Sequence, residues 1–447
     1  MYSIRKRTIS AILATSIFFL AACSVVEDPP PVVEDDPPPQ TVENVVPEPV
    51  EDSEEVEVNE EIEEIIVPPR SGTELELLIY GFIDEMTGQG FAGTAISVFT
   101  RDEIILEFTY GFKNIEEQIP IDNETVFEWA SMTKLLTWVS VMQLYERGEL
   151  DIHADLFTYL PRDEFPNIIY PTSLYHLMRH SAGFSGYWGD FSVHSMNMVS
   201  PGSQFAPFTQ RIRDLASLSV LVQTSQPGER FFYSSAFGTS LAAYVVQRIS
   251  GMPFYEYVRY NIFAPLGMQS TALFTDLSYN AWVREQRGRT NTYSTYNSET
   301  RPHTMRWYFA FYPAVSATGT ISDMMRFARA LLLDENGESA LFQNPETLLQ
   351  IYPSFEFIES AETDELAEGI IFRYGFMVFA DRNLYSNRNA FRDVSERIIG
   401  HTGGAFGRSI LWVDIDRGIG MVMSENTEFG LASVEEFYAD IAEMILR

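Results

Sequence analysis

Ser131-Met132-Thr133-Lys134 opens an apolar run that Leu135, Val139, Met142, Leu144 and Tyr145 carry forward to Gly148. The spacing predicts a helix that begins at the serine and stops at the glycine. Residues three apart share a helix face, so Lys134 should lie over Ser131. A helix N-terminus offers free backbone N–H groups and the positive end of the macrodipole, and both favour an oxyanion. A serine hydroxyl is a weak nucleophile until a neighbour takes its proton. A lysine can contribute once burial or nearby cations lower its pKa from ~10.4. S-x-x-K is a common pattern, but beyond residue 23 this chain has only Lys113 and Lys134, so the pairing is informative.

Outward from that helix, the pattern changes. Thr94 to Phe99 and Ile104 to Tyr110 alternate apolar and polar residues around Thr100-Arg101-Asp102-Glu103, a hairpin signature. Ile410 to Val413 and Gly420 to Met423 form a second hairpin turning at Asp414-Ile415-Asp416-Arg417-Gly418. Leu75, Leu78, Ile79, Phe82, Ile83 and Met86 predict an amphipathic first helix, and Val434 to Leu446 a last one. Strands at both ends with a helical, loop-rich middle imply an α+β fold. Its antiparallel β-sheet is built from N- and C-terminal strands flanked by helices, with a mostly helical inserted subdomain.

Two further stretches carry chemistry. Pro227-Gly228-Glu229-Arg230-Phe231-Phe232-Tyr233-Ser234-Ser235 delivers Tyr233 from a Pro-Gly turn to the start of the apolar helix Leu241 to Ile249. A tyrosine beside ammonium groups can shuttle protons. Gly400-His401-Thr402-Gly403-Gly404 follows Ile398-Ile399. Glycines there let a backbone approach a ligand closely and aim N–H groups at it.

S-x-x-K, Tyr-Ser-x and His-Thr-Gly, in this order and spacing, resemble the serine β-lactamase and penicillin-recognising DD-peptidase superfamily. The likeness is to its class C-like branch of DD-carboxypeptidases, D-aminopeptidases and related esterases. Leu150-Asp151-Ile152-His153 with Tyr159-Leu160-Pro161, Leu177-Met178-Arg179-His180-Ser181-Ala182-Gly183, and Ala317-Thr318-Gly319-Thr320 through Phe327 resemble further stretches of that branch. The resemblance implies that Ser131 is acylated and that Lys134 and Tyr233 transfer protons. It further implies an oxyanion hole formed by the N–H groups of Ser131 and Gly404. Ser235, His401, Thr402, Gly403 and Asn426 would contact substrate. Ser235 stands where the family usually has asparagine and His401 where many members have lysine, and both weaken the expectation of an efficient β-lactamase.

Arg5, Lys6 and Arg7 precede an apolar run from Ile9 to Ala22 that ends at Leu20-Ala21-Ala22-Cys23. A membrane span needs ~20 apolar residues, whereas a shorter run suits a signal peptide. The sole cysteine of the chain, Cys23, sits as in a bacterial lipobox and is the expected site of lipidation. Residues 24–70 hold 16 acidic residues against Arg70, with proline runs. Such composition gives a stiff, extended tether of on the order of 100 Å. The expected organisation is a signal peptide (1–22), a tether (23–70) and a hydrolase domain (71–447), lipid-anchored in the cell envelope and facing the periplasm or exterior.

The net charge of −33 argues against nucleic-acid binding, and no disulfide framework or cysteine-based zinc site is available to a single cysteine. His176 and His180 lie four apart, but Leu177 occupies the position where a zinc metalloprotease has glutamate. No G-x-S-x-G elbow is present. A cofactor-free, monomeric serine hydrolase with no metal is therefore expected, acting on a D-Ala-type peptide or a small ester, with peptidoglycan-derived peptides among the candidates. The competing readings are a class C-like β-lactamase and a non-catalytic envelope lipoprotein that binds peptidoglycan.

Overall fold

The computed structural model describes residues 73–87, 91–184, 198–199, 206–216, 222–233, 236–296, 299–303, 308–309, 311–354, 371–379 and 397–428. The segments 1–22 and 23–70 with Cys23, the residue Ser235 and the helix expected over Val434 to Leu446 lie outside these described residues.

Both hairpins form. β1 (Gly93–Thr100) and β2 (Ile104–Asn114) pair with Ile96 opposite Phe108. β14 (Arg408–Asp414) and β15 (Ile419–Glu425) pair with Trp412 opposite Met421. β1 then lies antiparallel to β15, so a strand early in the chain neighbours one late in it. The resulting eight-stranded sheet runs β11 (Ile371–Arg373), β12 (Phe376–Val378), β13 (Ile398–Gly404), β14, β15, β1, β2, β3 (Ile119–Pro120).

Successive side chains of a strand point to opposite faces, so each strand feeds two cores. Ala95, Phe99, Leu411, Val413 and Val422 join the core that includes α2 (Lys134–Glu146) and the helix Ile321–Arg329. Ile96, Val98, Ile410, Trp412, Met421 and Met423 pack with Ile79 and Ile83 of α1 (Glu74–Thr87). Burial on both faces explains why β14 and β15 read as nearly continuous apolar runs.

Between these strands lies the helical insertion, braced by short sheets. β10 (Ala317–Thr320) runs between β4 (Val126–Glu128) and β6 (Thr271–Leu273). β5 (Met198–Val199) pairs with β9 (Tyr308–Phe309), and β7 (Tyr293–Tyr296) lies between β8 (Glu299–Pro302) and β16 (Thr427–Glu428). The first of these sheets matters most, because Thr318 opposite Glu128 holds the chain just ahead of Ser131.

The helix expected to begin at Ser131 begins three residues later. Ala130–Thr133 is a tight 3-10 turn, and α2 starts at Lys134. From Lys134 to Leu144 every residue of α2 is buried, so it is a central helix and not a surface one. It packs on the helices Phe237–Ser250 and Tyr312–Val315. A helix surrounded by protein has no polar face to show, which is why its sequence is largely apolar, with Thr137, Ser140 and Gln143 the polar residues between Lys134 and its exit at Glu146.

Candidate active site

The turn carrying Ser131 is tied to its neighbours at three points. Trp129 N–H donates to the Ala317 carbonyl (2.8 Å), Ala317 N–H donates to Thr133 Oγ1 (3.0 Å), and Ser409 Oγ donates to the Glu128 carbonyl (3.2 Å). Ala130 is left-handed, with φ +48°, a costly conformation for a residue with a Cβ. β13 presses on this turn from the other side. A Cβ added to Gly403 would stand 2.2 Å from the Trp129 carbonyl oxygen, so only glycine permits the approach. Gly404, one residue on, is exposed and has open space where a Cβ would be.

Lys134 is completely buried, and its Nζ lies 2.8 Å from Ser131 Oγ while donating to the Ala314 carbonyl at 3.2 Å. The same Nζ sits 5.4 Å from the centre of the Tyr233 ring. Ser131, Lys134 and Tyr233 are 102 positions apart at the extremes, yet they meet in one pocket. Tyr233 follows the Pro227-Gly228 turn, where Gly228 has φ +89°.

His401 faces the same pocket from β13, its ring 6.4 Å from that of Tyr233. Its Nδ1 contacts the Thr402 carbonyl, and its Nε2 is buried with no hydrogen-bond partner among the described residues. Burial, reinforced by the charge of Lys134, pushes the His401 imidazole down to about 3, against a weak opposing pull from the Thr402 carbonyl. The ring is therefore neutral at ordinary pH. Thr402 points outward at the exposed strand edge, with Oγ1 3.9 Å from Met377 Sδ.

Asn426 is held by backbone carbonyls. Its amide donates to the carbonyls of Phe112 (2.9 Å) and Asn291 (3.0 Å), and it is buried just past the end of β15, two strands away from β13. The side chain stitches β2 to the segment before β7. Ser235 lies outside the described residues.

Two residues that sequence reasoning missed complete the pocket wall. Phe372 of β11 stacks on Tyr233 with ring centres 5.8 Å apart and lies 6.0 Å from His401. His180 lies 4.6 Å from both Tyr233 and Phe372. The available signal for Phe372 was the Tyr374-Gly375 pair, a turn flanked by apolar residues, which marks a short hairpin.

A family model described as Beta-lactamase matches residues 81–443. The chain belongs to the Beta-lactamase family. Among curated relatives, penicillin-binding protein 4* of Bacillus subtilis is 24% identical over 257 residues, covering 55% of this chain and 53% of the relative. The esterase EstB of Burkholderia gladioli is 31% identical over 185 residues, covering 40% and 46%. The chain thus spans about half the length of these curated relatives. Among solved structures, the D-amino acid amidase of Ochrobactrum anthropi in complex with D-phenylalanine superposes with a TM-score of 0.63 at 20% identity, covering 83% of this chain and 99% of that one. That likeness shows the shared fold; within this Beta-lactamase family chain, the chemistry has to be argued from the site itself.

Proposed function

We propose that this protein is a membrane-tethered serine hydrolase that cleaves an amide or an ester, a D-Ala-type peptide or a small ester, through an acyl-enzyme on Ser131. The observation that carries the reading is the 2.8 Å contact between Ser131 Oγ and a fully buried Lys134 Nζ, with the Tyr233 ring centre 5.4 Å from that Nζ. A buried amine touching a hydroxyl serves catalysis better than stability, since burying an ionisable group is costly.

In the proposed cycle, the Oγ proton passes to the Lys134–Tyr233 pair as Oγ attacks the substrate carbonyl carbon. Negative charge then develops on the carbonyl oxygen, where the N–H groups of Ser131 and Gly404 stabilise it. The open space at Gly404 supports that placement. As the C–N or C–O bond breaks, the pair returns the proton to the leaving group. Water repeats the sequence on the acyl-enzyme, giving up its proton to the pair and releasing the acid with Ser131 restored. His401, neutral and close to Tyr233, offers a polar contact that does not compete with Lys134 for charge.

Relatives that bear the names penicillin-binding protein, esterase and D-amino acid amidase support both an amide and an ester as substrate. Membrane tethering rests on the lipobox-like Leu20-Ala21-Ala22-Cys23 and the acidic, proline-rich stretch behind it. The decisive experiment pairs wild type with Ser131→Ala, using p-nitrophenyl butyrate turnover and covalent labelling by a fluorophosphonate. Both signals should vanish in the variant. Turnover that survives the loss of Oγ removes the assignment of nucleophile.

A further inference from the structure

Tyr233 reaches Lys134 from a segment with no regular secondary structure, so its ring is held by its neighbours and not by a helix or strand. His180 is one of those neighbours. Its ring is buried, 4.6 Å from Tyr233 at 47° and 4.6 Å from Phe372 at 73°, with Phe231 6.3 Å away. The backbone is left-handed, with φ +51°, where glycine is at ease and histidine is strained. A strained conformation persists only where the surroundings over-determine it, and such positions cluster at functional sites.

The surroundings here are a backbone zipper. The His180 carbonyl accepts the Phe232 N–H at 2.8 Å, the Ser181 carbonyl accepts the Gly228 N–H at 2.8 Å, and the Gly183 carbonyl accepts the Thr224 N–H at 2.7 Å. Gln223 adds its side-chain amide to the Ala182 carbonyl at 2.7 Å. The loop after α3 (Leu174–Met178) and the segment leading to Tyr233 are therefore joined through their backbones, with the His180 ring packed against both Tyr233 and Phe372.

We propose that His180 is a positioning residue: its ring is the floor against which the phenol of Tyr233 is set toward Lys134 and Ser131. The inference rests on the acyl-enzyme reading above and adds a determinant of its proton transfer. The role is one of shape, so a flat ring of similar size should fill it and an absent ring should not.

His180→Gly is the informative variant, because glycine suits the left-handed backbone and the zipper uses main-chain atoms. With p-nitrophenyl butyrate as probe, kcat should fall ~10- to 100-fold while KM stays within about twofold, the loss expected when a catalytic group is misplaced by about 1 Å. His180→Phe should recover kcat to within about fivefold of wild type, since ring packing is retained. Wild-type kcat in His180→Gly overturns the proposal, as does a His180→Phe variant no better than His180→Gly. Should the glycine variant fail to fold by circular dichroism, the phenylalanine variant decides alone: near-wild-type kcat supports the role and loss of kcat overturns it. The underlying reading fails separately. Turnover by Ser131→Ala sinks that reading, whereas an inert Ser131→Ala beside a fully active His180→Gly sinks only the positioning role.

Discussion

Glu425 and His401 are both buried titratable side chains on the large sheet, and burial drives them in opposite directions. Glu425 pairs across the strands with Thr94 and Arg408, and neither carboxylate oxygen has a hydrogen-bond partner among the described residues. Burial pushes its carboxyl up to about 8, with Arg408 pulling weakly the other way. The folded state then keeps a proton that the unfolded chain releases near 4.5. Its contribution to stability is intact below that pH and is lost as the pH rises toward 8. His401 behaves conversely: its contribution is present above 6.5 and lost as the pH falls toward 3. Glu425→Gln should therefore melt higher than wild type at pH 8, by at most about 5 kcal/mol of unfolding free energy, with the gap closing near pH 4.5. Calorimetric melts at pH 4.5, 6 and 8 measure this. Equal melting temperatures at pH 8 would mean that the carboxyl is not held neutral by the fold.

At the scale of elements, the β11–β12 hairpin is the piece that links the buried helix to the pocket. Its turn glycine, Gly375, has φ +85°, and a Cβ there would come 2.1 Å from Trp138, one turn along α2 from Lys134. The strand before the turn carries Phe372 onto Tyr233, and the strand after it pairs Met377 with Gly400 next to His401. One hairpin thus touches three of the pocket's elements. Gly375→Ala forces the turn off Trp138 and out of a left-handed conformation, and should destabilise the protein by about 1–3 kcal/mol. Because Phe372 moves with the turn, ester turnover should drop more than the melting temperature alone accounts for. A variant with lowered stability and unchanged kcat at 20 °C would show that the hairpin is scaffold only.

Across the whole molecule, charge is the dominant property. Residues 71–447 carry −21, and the two lysines in that range, Lys113 and Lys134, are both buried. Lys113 is held by Asp122 at 2.7 Å. The exposed positive charge of this part of the chain is therefore borne by arginine. A surface so acidic repels itself, and the repulsion is screened over a Debye length of ~10 Å at 0.1 M salt. Raising sodium chloride from 0.05 to 1 M should raise the melting temperature, by about 2–4 °C for each kcal/mol of repulsion removed. A melting temperature that is flat or falling with salt would show that the acidic residues are locally paired instead.

Much of this architecture was legible before any tertiary contact. The two hairpins, the strands at opposite ends of the chain and the helix after Tyr233 are local patterns of alternation, turn residues and helical spacing, and they form as read. S-x-x-K was legible because Ser131 and Lys134 are three residues apart, and local geometry alone brings them together. Other features depend on how distant segments pack. The 3-10 turn and left-handed Ala130 come from β13 and β10 closing on the serine, which no window of residues around position 131 reveals. The amide of Asn426 is claimed by the carbonyls of Phe112 and Asn291, both distant in the chain. His180 and Phe372 gained their place only when two loops met over Tyr233. Sequence determined which residues could do chemistry, because reactivity belongs to side-chain types and short spacings. The tertiary structure decided which of them share a pocket, which ionisable groups lose their water and how each ring is held, because burial and long-range contact arise only when the whole chain has packed.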